Sequence, residues 1–113
     1  MPRFSRLKHR VEFGQVIKHG RTVGDRNLVL FILSTENSEN KVGFTAQRKA
    51  GSAVKRNRIK RRLRALHRHF EEQLVSCGNI IWLGKVGVLQ ADWDALVKSG
   101  RKLLTKAGCL TKA

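Results

Sequence analysis

The apolar positions of this chain follow two spacings, and the longest helical one runs through its most highly charged stretch. Ile59, Leu63, Leu66 and Phe70 fall at i, i+4, i+7 and i+11, one stripe of an α-helix. Ser52 stands where an N-cap would, and Ala53 to Phe70 holds neither glycine nor proline. A helix over 53–70 is predicted. Two more follow from the same spacing. Val11, Phe13, Val16 and Ile17 predict a short helix over 9–19, stopped by Gly20 as a C-cap. Trp93, Leu96, Val97, Leu103 and Leu104 predict one over 91–106, with Asp92 and Asp94 at its start and Gly100 marking close packing or a bend.

Between the helices the pattern changes to that of strands. LVLFIL, 28–33, is a continuous apolar run, which suggests a strand covered on both faces. Polar TENSEN, 35–40, reads as a hairpin loop into KVGFTAQ, 41–47, where Val42, Phe44 and Ala46 alternate with Gly43, Thr45 and Gln47. That strand has one open face of small and polar residues. A turn at 76–79 leads to a third strand, 80–83, with Trp82 closing the core, and 84–87 is a loop. Residues 1–8 and the tail from Gly108 carry no pattern and are expected to be flexible. The expected order is α-β-β-α-β-α: one α+β sandwich over 1–113.

Charge changes the meaning of the central helix. Seven of the ten residues from Lys55 to Arg64 are Lys or Arg, and no acidic residue occurs between Glu39 and Glu71. Like charges at i, i+4 cost roughly 1 to 2 kcal/mol together in isolation. Lys55 and Arg56 also oppose the positive end of the helix dipole. Such a helix is costly alone and favourable against a polyanion. With a formal charge of +16 on 113 residues, nucleic acid is the expected partner.

Candidate chemistry within the protein is sparse. Glu71-Glu72 and Asp92/Asp94 are the only close acidic sets, and both read as helix-end residues. His67 and His69 point about 200° apart on a helix and cannot chelate one metal, so they read as solvated or phosphate-facing. Cys77 and Cys109 read as free thiols. No segment approaches a membrane span or a signal peptide, so a cytoplasmic protein is expected.

The stretch GFTAQRKAGSAVKRNRIKRRLR, Gly43 to Arg64, closely resembles the signature of the bacterial ribonuclease P protein subunit. Its strand, its basic pair Arg48-Lys49 and the Arg56-Asn57-Arg58 run all match, and the likeness extends over most of the chain, most weakly after Gly84. The resemblance implies a fold like the second domain of a small-subunit ribosomal protein, with a left-handed β-α-β crossover. It also implies a role: the protein assists a catalytic RNA subunit, which carries the Mg²⁺ ions, in removing the 5′ leader from precursor tRNA. No obligate protein partner is implied.

Carried over residue by residue, Arg48, Lys49, Lys55, Arg56, Asn57, Arg58, Lys60, Arg61, Arg62, Arg64 and Arg68 would face the catalytic RNA or the substrate, Asn57 through a directed hydrogen bond. Phe13 and Phe31 match aromatic residues of the leader-binding cleft, with Arg26 as a phosphate contact at its edge. Three positions depart from the family pattern. Ile17 stands where the family often has a second aromatic, Ala65 where many relatives are acidic, and 83–90 lacks the familiar Arg-Pro loop. The alternatives are a ribosomal RNA-binding protein, an architectural DNA-binding protein and a self-sufficient nuclease. The first shares charge, size and fold; for the others this chain lacks the minor-groove arms or the clustered carboxylates they need.

Overall fold

A computed structural model of the chain describes residues 4–34 and 40–111. Eight regular elements follow one another: β1 Ser5–Arg6, α1 Arg10–His19, β2 Arg21–Gly24, β3 Leu28–Leu33, β4 Lys41–Ala46, α2 Ala53–Phe70, β5 Asn79–Gly84 and α3 Trp93–Lys106. All six expected elements are present, with two strands added. The five strands form one mixed sheet in the order β1-β4-β5-β3-β2.

Alternation along the strands decides what each face carries. Leu28, Leu30 and Ile32 of β3 and Ile80 and Trp82 of β5 are buried against α2 and α3, together with Ile59, Leu63, Leu66 and Phe70. The other face is smaller: Ile81 packs with Val16 of α1 and with Leu7, and Phe13, Phe31 and Leu33 border them. Strand β3 is therefore fully covered on one face and half-covered on the other, where burial on both was expected.

The expected hairpin between 28–33 and 41–47 does not form. β5 lies between them, antiparallel to β3 and parallel to β4. Its Ile80, Ile81 and Trp82 are buried, which requires neighbours on both edges and both faces, so it takes the centre of the sheet. Residues 35–39 of the expected loop lie outside the described residues. β4, α2 and β5 thus make a parallel pair joined through the basic helix.

Parts of both terminal segments pack against the rest of the chain. Ser5 and Arg6 pair with Lys41 and Val42, and Leu7 is buried. At the other end Cys109 is buried and Leu110 bridges Leu74. Residues 1–3, 112 and 113 lie outside the described residues. Cys77 and Cys109 are free thiols, as expected.

Helix α3 runs unbroken through Gly100, because α2 crosses it there: a methyl group at Gly100 would stand 3.1 Å from Phe70 and 3.3 Å from Leu66. Gly20 ends α1 in extended backbone, not in the left-handed conformation of a glycine C-cap, and its N–H bonds Val16 O at 2.9 Å.

Candidate nucleic-acid interface

Helix α2 begins as its sequence predicts. Ser52 Oγ accepts from the Lys55 N–H at 3.3 Å, and the apolar stripe is wholly buried. Burial of that stripe turns most other positions outward, with His67 and Arg62 as exceptions. Lys55, Asn57, Arg58, Arg61 and Arg68 are exposed, and Arg56, Lys60 and Arg64 are half-exposed. Arg48 and Lys49 are exposed in a 3-10 turn just before the helix. Among the described residues, no α2 cation pairs with a carboxylate; an ion pair does join Lys41 to Glu12 at 2.9 Å, tying α1 to β4.

Cations on two flanks of the helix line separate hollows. Arg56, Asn57 and Lys60 meet Thr45 and Ala46 of β4 around a hollow of about 210 Å³. Lys55, Arg58 and Arg61 line another of about 350 Å³ on the opposite flank, floored by Leu89. Arg62 is held differently. Its Nη1 donates to Val88 O at 2.6 Å and Ala91 O at 2.7 Å, so it fastens the 86–91 segment to α2. That segment forms a 3-10 turn over Val86–Leu89.

Strand register assembles the second part of the site. Phe31 of β3 and Gly43 of β4 are both opposite Ile81 of β5, so the three make one row across the face beneath α1. Phe13 reaches down from α1 onto this row at Gly43. The next row on the same face is Val29, Leu83 and Thr45, each half-buried. Sequence reasoning missed Val29 and Leu83 as surface residues, since only the incomplete cover by α1 exposes them. Ile17 projects outward from α1 and is 43% exposed.

The same register gathers cations at one end of the sheet. Leu28 and Ala46 are both opposite Gly84. Arg26, just before β3, and Arg48-Lys49, just after β4, therefore lie beyond the same end of the sheet, which is about 10 Å along the strand from Phe31. Arg26 is exposed in the turn that Asp25 organises by accepting the N–H groups of Asn27 and Leu28, each at 3.0 Å.

His67 is not a solvated or phosphate-facing residue. It is only 5% exposed, and its Nδ1 accepts the indole N–H of Trp82 at 3.1 Å. Burial pushes its pKa down to about 4, so the ring is neutral at pH 7. Trp82 supplies the reason: a buried indole N–H needs an acceptor, and α2 provides it. His69, two residues on, is exposed and stacks edge-on with Trp93.

No group of three or more His, Cys, Asp or Glu side chains is placed to hold a metal among the described residues, and no helix there is long and apolar enough to cross a membrane. What the geometry presents is a cationic helix on one face of the sheet and, on the other, Phe31 of β3 with Phe13 of α1 above the sheet.

Comparison with known proteins agrees with that chemistry. The family model for ribonuclease P matches residues 1–108. The ribonuclease P protein component of Gluconacetobacter diazotrophicus is 40% identical over 108 residues, covering 94% of this chain and 93% of the relative. That of Symbiobacterium thermophilum is 34% identical over 113 residues, covering 99% and 98%. Among solved structures, the ribonuclease P protein of Staphylococcus aureus superposes with a TM-score of 0.78 at 23% identity, over 94% of this chain and 97% of that one. The Thermotoga maritima protein gives 0.77 at 21%, over 90% and 96%. With a family model spanning nearly its whole length, relatives of matching length and the same fold, the chain belongs to the bacterial ribonuclease P protein component family, which serves tRNA processing.

Proposed function

We propose that the chain binds the RNA subunit of ribonuclease P through α2 and its approach, and the 5′ leader of precursor tRNA through the cleft between α1 and the sheet. The row formed by Phe31, Ile81 and Gly43, capped by Phe13, carries this reading. It sets two aromatic rings on one surface, with a half-buried apolar row beside them leading toward Arg26, Arg48 and Lys49. Unpaired bases stack on aromatic surfaces with little sequence demand, while cations hold the phosphates. A leader, which varies in sequence, suits that combination.

In this reading the cations flanking α2 serve the RNA. Arg56, Asn57 and Lys60 share their hollow with Thr45, which stands in the half-buried row beside the cleft, so they meet the substrate close to the cleavage point. Lys55, Arg58 and Arg61 on the far flank meet the RNA subunit. Hydrolysis and its Mg²⁺ ions belong to the RNA subunit and the substrate. The protein acts by positioning and by neutralising phosphate charge, which lets substrate and metal bind more tightly. The work is cytoplasmic.

The test is cleavage of a leader-bearing precursor tRNA at low Mg²⁺ by the protein alone, a bacterial ribonuclease P RNA alone, and both together. Cleavage enhanced only in the mixture is expected. Cleavage by the protein alone would place the chemistry in the chain, and no enhancement despite tight RNA binding would favour a ribosomal role.

A further inference from the structure

A further hollow adjoins the cleft through Phe13 and Gly43 and lies outside the two flanks of α2. It follows the outer edge of β4, where β1 stops short. The carbonyls of Asn40 and Val42 accept the N–H groups of Ser5 and Leu7 at 3.1 and 2.9 Å; from Gly43 onward no strand covers that edge among the described residues. Backbone polar groups alternate sides along a strand, so those of Phe44 point to the open edge as those of Val42 do.

Arg6, Phe44, Arg64, His67, Arg68 and Glu71 wall this hollow of about 280 Å³. It shares Arg6, Phe44 and Arg64 with an adjoining one of about 340 Å³ that reaches Lys8 and Phe13. Two buried nitrogens in the wall, Arg64 Nε and His67 Nε2, have no hydrogen-bond partner among the described residues. They stand three residues apart on α2, hence on one face. Since His67 Nδ1 is occupied by Trp82, Nε2 carries the ring proton; the Phe4 and Phe44 rings stand edge-on to the imidazole at 5.3 and 5.8 Å, and no protein acceptor meets Nε2 among the described residues. Buried donors in native proteins are matched by protein, water or ligand.

The surroundings say which. The Arg64 guanidinium stands 5.9 Å from the Phe44 ring centroid, a cation and an aromatic surface offered together. Arg6 and Arg68 add charge suited to phosphate, and the Glu71 carboxylate adds an acceptor suited to an exocyclic amine. A water molecule would need neither.

Resting on the ribonuclease P reading above, we propose that this edge hollow seats one unpaired ribonucleotide, its base against Phe44 and Arg64 and its phosphate among Arg6, Arg64 and Arg68. Glu71 then favours a base with an amino group over uracil.

The full chain, labelled with ¹⁵N, is titrated with four-nucleotide single-stranded RNAs of cytidine or uridine and with a short RNA duplex. The His67 Nε2 and Phe44 N–H resonances should move with the single strands, at lower concentration for cytidine, and not with the duplex. Phe44→Leu should weaken oligocytidine binding by roughly tenfold. Arg6→Gln should weaken it more than Lys98→Gln, which removes a cation from α3. Arg6 lies on an exposed strand, so this comparison stands even if Phe44→Leu fails to fold.

Unmoved His67 and Phe44 resonances would overturn the proposal, leaving water as the donors' partner. So would an equal response to the duplex. The RNA that supplies the nucleotide is read from Arg6→Gln in the complete complex. A loss that grows with leader length assigns it to the leader, and a loss in binding the RNA subunit alone assigns it there. Enhanced cleavage with an unmoved His67 sinks the hollow only; a moved His67 without enhanced cleavage sinks only the ribonuclease P reading.

Discussion

Phe13 of α1 rests directly on Gly43 of β4: a methyl group built at Gly43 would stand 2.5 Å from Phe13 Cε2 and 2.7 Å from Cζ. Only a residue without a side chain lets the ring approach the sheet this closely. Gly43→Ala should therefore lift Phe13 out of place without deleting it. If the ring's seat matters to leader binding, Gly43→Ala and Phe13→Ala should both weaken precursor tRNA by about tenfold while leaving mature tRNA nearly unchanged. Binding assays with both RNAs check this, and equal losses would remove Phe13 from leader recognition.

Arg61 and Arg62 are neighbours with different surroundings. Arg62 holds the carbonyls of Val88 and Ala91, while Arg61 is exposed. Arg62→Ala should lower the unfolding free energy by about 1 to 3 kcal/mol, since two part-buried acceptors lose a charged donor. Arg61→Ala should stay within about 0.5 kcal/mol. Denaturant titration of both variants separates the roles; equal stabilities would show that the Arg62 contacts contribute nothing net.

RNA affinity should respond in the opposite sense. Arg61→Ala with Arg64→Ala should reduce the slope of log affinity against log salt by up to roughly two charge equivalents. Arg62→Ala should change it less, because its guanidinium is engaged within the protein. An unchanged slope for the double variant would mean that its side chains never reach phosphate.

Stability should depend on pH through His67. Its folded pKa of about 4 lies below the ordinary 6.5, so between these values the unfolded chain binds the extra proton. The His67 contribution is complete above about pH 6.5 and is lost as pH falls toward 4, by up to about 3 kcal/mol. His67→Gln, which can still accept from Trp82, should flatten that part of the profile. A wild-type curve of the same shape as the variant's would mean that the ring is not the titrating group.

Much of this protein is legible in its sequence because local rules govern those parts. The 53–70 helix follows from its apolar stripe, its Ser52 cap and the lack of breakers, and most cations off the stripe then face outward. β2 and β1 were not legible: one is a four-residue edge strand of polar composition, the other a two-residue pair. Neither is long enough to show a period, and both exist only because a neighbouring strand offers them hydrogen bonds.

Tertiary structure alone decided the rest. The hairpin expected between β3 and β4 gives way to β5, since the strand that buries most apolar surface takes the centre of the sheet. That insertion aligns Phe31, Ile81 and Gly43 in one row and brings Arg26 to the same end as Arg48 and Lys49. It also puts Trp82 beneath α2, which draws His67 inward as an acceptor, and the 86–91 segment draws in Arg62. Composition and periodicity determine which residues are charged and which face of a helix is buried. Which charged residue finds a carbonyl, and which finds RNA, depends on contacts between segments far apart in the chain, to which no local pattern is sensitive.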